Sequence, residues 1–94
     1  MITDKYRLRL VLHGRVQGVG FRYFVIRKAE NFTVTGYVMN LPAQAVEVVA
    51  EGDRPVVEAF IDAVGQGPSN ARITEQKLFI EIPSGSFSAF SVKY

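Results

Sequence analysis

The feature that most limits the possible folds is a change of hydrophobic period across glycines 14, 18 and 20. Before them, Tyr6, Leu8, Leu10 and Leu12 alternate with Arg7, Arg9 and His13, interrupted only by Val11, which predicts a strand with one buried face. From Phe21 onward, Phe21, Phe24, Val25, Ala29 and Phe32 recur at the spacing of an amphipathic helix. A strand must therefore feed a Gly-rich loop, and the loop a helix.

Downstream, residues 34–41 and 46–50 are rich in β-branched side chains, and 41–45 can turn the chain, which predicts an antiparallel hairpin. Asp53-Arg54-Pro55 offers a cap and an early-turn proline to a second helix with Val57, Phe60, Ile61 and Val64 as its stripe and Gly65 as its stop. Gly67-Pro68-Ser69-Asn70 is a turn, and 73–82 and 87–92 read as further strands. The order βαββαβ with a short extra C-terminal strand predicts one α+β domain over residues 1–94. It is a ferredoxin-like sandwich with both helices on one face of a mainly antiparallel sheet. That fold hosts enzymes, metal carriers, regulatory modules and RNA binders, so function must come from the residues.

Composition removes several classes. A chain of 94 residues, 48% of them hydrophobic, suits one small globular core. A net charge of +2 permits a small anion without demanding nucleic acid. With no cysteine, a disulfide framework, a thiolate zinc site and a thiol nucleophile are all excluded. His13, the single histidine, reads as a strand-end residue, and no His/Asp/Glu cluster has ligand spacing, so no metal site and no Ser-His-Asp triad is expected. Glu47, Glu51, Asp53, Glu58 and Asp62 are expected on the solvated surface. No apolar stretch approaches the roughly 20 residues that span a bilayer. The segment Met1 to Tyr6 lacks the basic-then-apolar layout of a leader, so a cytoplasmic location is expected.

The run Gly14-Arg15-Val16-Gln17-Gly18-Val19-Gly20-Phe21-Arg22 can turn successive backbone N–H groups onto one anion, because glycine permits the angles this needs. The helix that follows adds unpaired N–H groups and the positive end of its dipole, and Arg22 adds a two-pronged donor. The run is neither a Walker A loop nor a dinucleotide fingerprint, and spacing alone fits a tight connection with a solvated Arg22 as well. Asn40 before Leu41-Pro42 likewise reads, by itself, as a turn-former.

The residue types go further. Gly14 to Arg22 closely resembles the acylphosphatase signature Gly-x-Val-Gln-Gly-Val-x-Phe-Arg, with every fixed position present. Gly36-Tyr37-Val38-Met39-Asn40, followed by Val46 and Gly52, is similar to the family's second signature. The likeness extends through Gly67-Pro68 to Phe87-Ser88-Ala89-Phe90. It implies hydrolysis of the carboxyl-phosphate bond of acyl phosphates to a carboxylate and inorganic phosphate. It also implies that the phosphoryl group is bound by the amides of Arg15, Val16, Gln17, Gly18, Val19 and Gly20 and by Arg22. Arg22 and Asn40 are then the catalytic residues, Asn40 holding the attacking water.

Such a reaction needs little from the protein. A carboxylate whose conjugate acid has a pKa of about 4 leaves unprotonated at neutral pH. A phosphate oxygen can take the water's proton, so neither general acid nor base is implied, nor any metal or cofactor. The implied partners are a small-molecule acyl phosphate and its phosphate product, with no nucleic acid and no membrane, for a chain expected to be a monomer. The alternative within the family is a catalytically silent module that binds phosphate or carbamoyl phosphate. An RNA-binding reading fails because Gln17, Val19 and Arg22 miss the basic, aromatic and valine positions of the RNP1 motif, which lies on a strand.

Two positions depart from the family pattern. Gln44 stands where the hairpin usually has glycine, and Thr33 where a glycine often ends the first helix. Because a non-glycine residue resists positive φ, a different turn is expected at Gln44.

Overall fold

The computed structural model describes residues 5–94; Met1–Asp4, the start of the segment read above as lacking a leader, lie outside the described residues. The elements are β1 (Lys5–Arg15), α1 (Phe21–Ala29), β2 (Thr35–Leu41), β3 (Ala45–Asp53), α2 (Arg54–Gln66), β4 (Arg72–Glu81) and β5 (Phe90–Val92). They form a five-stranded sheet of order β4-β1-β3-β2-β5, antiparallel except for the β2–β5 pair. This is the ferredoxin-like α+β arrangement that the order of elements predicts.

The alternation of β1 sends Leu8, Leu10 and Leu12 into the core, where they meet Val57, Phe60 and Val64 of α2 and Phe21 and Val25 of α1. Burial of these apolar faces is what holds two short helices on the sheet. Gly14 marks a register shift on β1, where a Cβ would lie 2.1 Å from the Arg72 carbonyl oxygen. Past the shift the pairing resumes for only two residues, Gly14 with Ile73 and Arg15 with Arg72, before the chain leaves for the loop.

Several boundaries differ from expectation. The first helix stops at Ala29, before Thr33 is reached, and Phe32 still packs edge-on against Phe60 at 5.6 Å between centroids. Asp53 occupies the N-cap of α2 but its side chain makes no capping hydrogen bond; Pro55 takes an early position as predicted. Gly67, not Gly65, ends that helix, with a φ of 69° and its N–H donating to the Val64 carbonyl. The last strand begins only at Phe90, because Phe87 packs on Tyr37 as part of the crossover from β4 to β5.

Glu51 corrects the expectation of a solvated surface carboxylate: it is 4% exposed. Arg7 Nη1 donates to it at 2.8 Å, while the Ser84 amide, the Ser84 hydroxyl and the Gly85 amide donate at 2.8, 3.0 and 3.0 Å. Arg7 and Arg9 also clasp Glu81 at 2.9 and 2.7 Å, and Arg9 reaches Glu47 at 3.5 Å. The network ties the crossover after β4 onto the face opposite the helices, and so delivers β5 to its place beside β2.

Burial opposes ionisation of Glu51, but its hydrogen bonds from the Ser84 amide, Arg7, the Gly85 amide and the Ser84 hydroxyl outweigh it and bring the carboxyl down to about 2. A depressed carboxyl pKa stabilises the fold at pH values above its ordinary 4.5, and that contribution disappears as pH falls toward 2. Wild type should therefore lose on the order of 3 kcal/mol between pH 5 and pH 2 through this group. Urea unfolding across that range will show a shallower acid limb in Glu51→Gln, which starts less stable at pH 7.

Candidate active site

The loop between β1 and α1 owes its shape to two glycines. Gly18 and Gly20 have φ of 73° and 76°, while Val19 between them stays out of the left-handed region. Alternation of hand along the backbone turns neighbouring N–H groups toward one point. A Cβ at Gly18 or Gly20 would meet nothing within 4 Å, so it is conformation, not space, that calls for glycine there.

Gly20 is also the N-cap of α1 and has no side chain to cap it; the helix carries no acidic residue in its first turn. The first backbone bond there runs from Phe24 N–H to the Gly20 carbonyl at 2.9 Å. The amides of Phe21, Arg22 and Tyr23 are thus left at the positive end of the helix, suited to an anion. Arg22 is half-buried, pairs with no carboxylate among the described residues, and lies with its guanidinium carbon 5.4 Å from the Tyr94 ring centroid.

Asn40 arrives from the hairpin. It shares the helix-side face of β2 with Val38 and is level with Val46 of β3, which in turn is level with Leu12 of β1. The strand beside β1 is β3, so Asn40 stands one strand further out than a hairpin strand paired directly to β1 would put it. Two strand spacings, about 10 Å, separate it from β1. The loop bridges this gap by leaning over β3, and one cleft of about 420 Å³ is lined by Val16, Gln17, Gly18, Gly20, Arg22 and Asn40 together with Phe21, Tyr23, Ile26, Val92 and Tyr94.

Two of the loop residues expected at the site do not line this cleft. Arg15 is exposed at the end of β1, opposite Arg72 across the strand pair, and Val19 packs against the core. Gln17 does more than its backbone position suggested. Its Nε2 donates to the carbonyls of Leu41 at 2.6 Å and Ala45 at 2.8 Å, the two residues that pair at the base of the hairpin turn. One side chain of the loop therefore clasps the turn next to Asn40.

That turn does not avoid positive φ as expected. Ala43 and Gln44 adopt φ of 63° and 58°, so Gln44 takes the left-handed conformation in which glycine is at ease. A non-glycine residue is disfavoured there by roughly 1–2 kcal/mol, partly offset in any glycine variant by a freer unfolded chain. Gln44→Gly should raise stability by up to about 1 kcal/mol, seen as a higher urea midpoint with unchanged slope.

The family model described as Acylphosphatase matches residues 8–92. The chain belongs to the acylphosphatase family. It is 40% identical over 88 residues to an acylphosphatase of Syntrophotalea carbinolica, covering 94% of this chain and 96% of the relative. It is 47% identical over 81 residues to one from Thermococcus kodakarensis, covering 86% and 89%. The solved acylphosphatase of Bacillus subtilis superposes with a TM-score of 0.87 at 34% identity, over 95% of this chain and 99% of that one. No helix among the described residues is long and apolar enough to cross a membrane.

Proposed function

We propose that this member of the acylphosphatase family hydrolyses the carboxyl-phosphate bond of acyl phosphates by direct attack of water held by Asn40. The phosphoryl group is bound by the amides of the 15–20 loop and by Arg22. The observation that carries the reading is the cleft itself, in which an uncapped helix N-terminus, an arginine with no carboxylate partner among the described residues and Asn40 face one space. Loop amides and Arg22 offset charge on the equatorial oxygens, while the Asn40 side-chain amide orients water toward phosphorus. The carboxylate departs with the bonding electrons, water's oxygen bonds to phosphorus, and the water proton goes to a phosphoryl oxygen. The protein works as a cytoplasmic monomer on a small molecule, without nucleic acid, membrane or metal.

The test is hydrolysis of acetyl phosphate in ¹⁸O-water with chelator present. Direct attack at phosphorus places the label in inorganic phosphate; label in acetate would overturn it, as would the absence of hydrolysis. The Gln17 clasp predicts a second effect. Gln17→Leu leaves the Leu41 and Ala45 carbonyls without their donor and frees the turn beside Asn40, so kcat should fall about tenfold or more, since misplacing a water by an ångström is costly. Inhibition by inorganic phosphate, which the backbone cradle governs, should change less.

A further inference from the structure

The two edges of the sheet differ in kind. At one edge β5 is three residues long; at the other β4 runs for ten, paired with β1 along one side and with no strand on its other side among the described residues. A long edge of free N–H and C=O groups invites a further strand, and the side chains here do little to prevent one. Leu78 and Ile80 stand opposite Leu10 and Leu8, so they point to the helix side of the sheet, yet they are 55% and 70% exposed. Ile82, next in the alternation, is 90% exposed. α2 covers the leucines of β1 but not this row, and leaves a groove of about 490 Å³ between itself and β4, walled by Tyr6, Leu8, Ala59, Ile61, Leu78 and Ile80. An apolar row of this kind marks an interaction surface.

The residues of β4 say what fits there. If two copies pair antiparallel and keep both apolar rows on the helix side, one residue must lie on the two-fold axis, because a shift by one turns every side chain to the other face. With Phe79 on the axis, Leu78 meets Ile80 of the second copy on the helix side, and Lys77 meets Glu81 of the second copy on the open face. Lys77 has no ion pair among the described residues, so its charge is available. The neighbouring registers are poorer. An axis at Leu78 sets Glu75 against Glu81, one at Lys77 sets that lysine against itself, one at Gln76 sets Leu78 against Thr74, and one at Ile80 sets Phe79 against Glu81. Pro83, which has no N–H to donate, closes the ladder soon after.

The geometry points to a symmetric dimer in which the β4 strands of two copies pair antiparallel about Phe79, joining two five-stranded sheets into one. Leu78, Phe79, Ile80 and Ile82 bring roughly 400–500 Å² of exposed surface per copy, so pairing removes about 1,000 Å² from water, the lower limit for a specific interface. Dissociation is therefore expected in the micromolar range, and at the dilution of an activity assay the working unit stays a single chain. The cleft is untouched, since its residues come from the β1–α1 loop, α1, β2 and the end of the chain, and β2 lies three strands from β4.

Sedimentation velocity from about 5 µM to about 1 mM should carry wild type from monomer to dimer and no further, because a two-fold edge pairing closes on itself. Ile80→Lys puts charge in the apolar row, and Lys77→Glu sets glutamate against Glu81. Each should raise the dissociation constant about tenfold or more, with thermal unfolding of the dilute protein and hydrolysis per chain close to wild type. The register is read separately. The chain has no cysteine, so in Phe79→Cys the one thiol lies opposite its symmetry mate, within the Cα separation of a disulfide. Under mild oxidation it should give a covalent dimer about tenfold faster or more than Lys77→Cys, whose two thiols stand four residues apart along the strands. Wild type that stays monomeric throughout would overturn the dimer and leave the edge to a different partner. Growth past the dimer, dissociation unmoved in both charge variants, or equal cross-linking of the two cysteine variants would overturn pairing about Phe79.

Discussion

Arg22→Ala should lower kcat for acyl phosphate hydrolysis by at least about 10²–10³-fold, the usual cost of removing one preorganised donor at a site of developing charge, with more lost because a full positive charge goes too. On the proposed reading Arg22 meets the anion in the ground state as well as the transition state, so the same variant should weaken inhibition by inorganic phosphate. If its partner is the water and not the anion, as proposed, Asn40→Ala should lower kcat by a similar factor yet leave phosphate inhibition near wild type. Arg22→Lys separates charge from shape. It keeps the cation but not the planar fork, and should recover only part of the loss. Among the described residues Arg22 has no carboxylate partner whose charge would be stranded by these changes, so unfolding midpoints should stay close to wild type. Equal losses of phosphate affinity in Arg22→Ala and Asn40→Ala would contradict the division of roles.

What could be read from the sequence followed local physics. β1, α1 and α2 were legible because their hydrophobic periods are intrinsic to each segment, and the turn of the β1–α1 loop because Gly18 and Gly20 lie within one short run. Features that depend on distant segments were not. Glu51 sits where strand alternation predicts solvent, and becomes buried only because Ser84 and Gly85, more than 30 residues away, fold over it. Gln17 looked like a loop amide, since its side-chain partners lie at positions 41 and 45. The outer part of the cleft was invisible for the same reason: Tyr23 and Ile26 join Val92 and Tyr94 only through the parallel pairing of β5 with β2. At Gln44 the preference of the residue was clear and the hairpin overrode it, a case of tertiary context imposing a strained backbone.

Gly36→Ala should be among the most damaging single changes to the fold, costing about 3–5 kcal/mol. Its φ of 140° is already unfavourable for an L side chain, but space is the larger obstacle. A Cβ there would lie 1.9 Å from the Val49 carbonyl oxygen and 2.8 Å from its carbon, both backbone atoms of the adjoining strand. No rotamer change relieves such a contact, so β2 must move away from β3. It cannot move without loss on its other edge, where the Gly36 N–H donates to the Ala89 carbonyl at 3.0 Å and the residue pairs with Phe90 of β5. Nor is the damage local to stability, because Asn40 is four residues along the same strand and the Gln17 clasp depends on that strand's position. A domain of this length has roughly 5–14 kcal/mol of total stability, so the variant should unfold about 15–30 °C below wild type and be substantially unfolded in mild urea. Gly18→Ala is the matched control: its Cβ would meet no atom within 4 Å, so only the positive φ is penalised, and the cost should stay near 1 kcal/mol. Thermal scans of the two variants decide the matter, and comparable midpoints would show that the β2–β3 pair relaxes around a methyl group that its close backbone approach is expected to forbid.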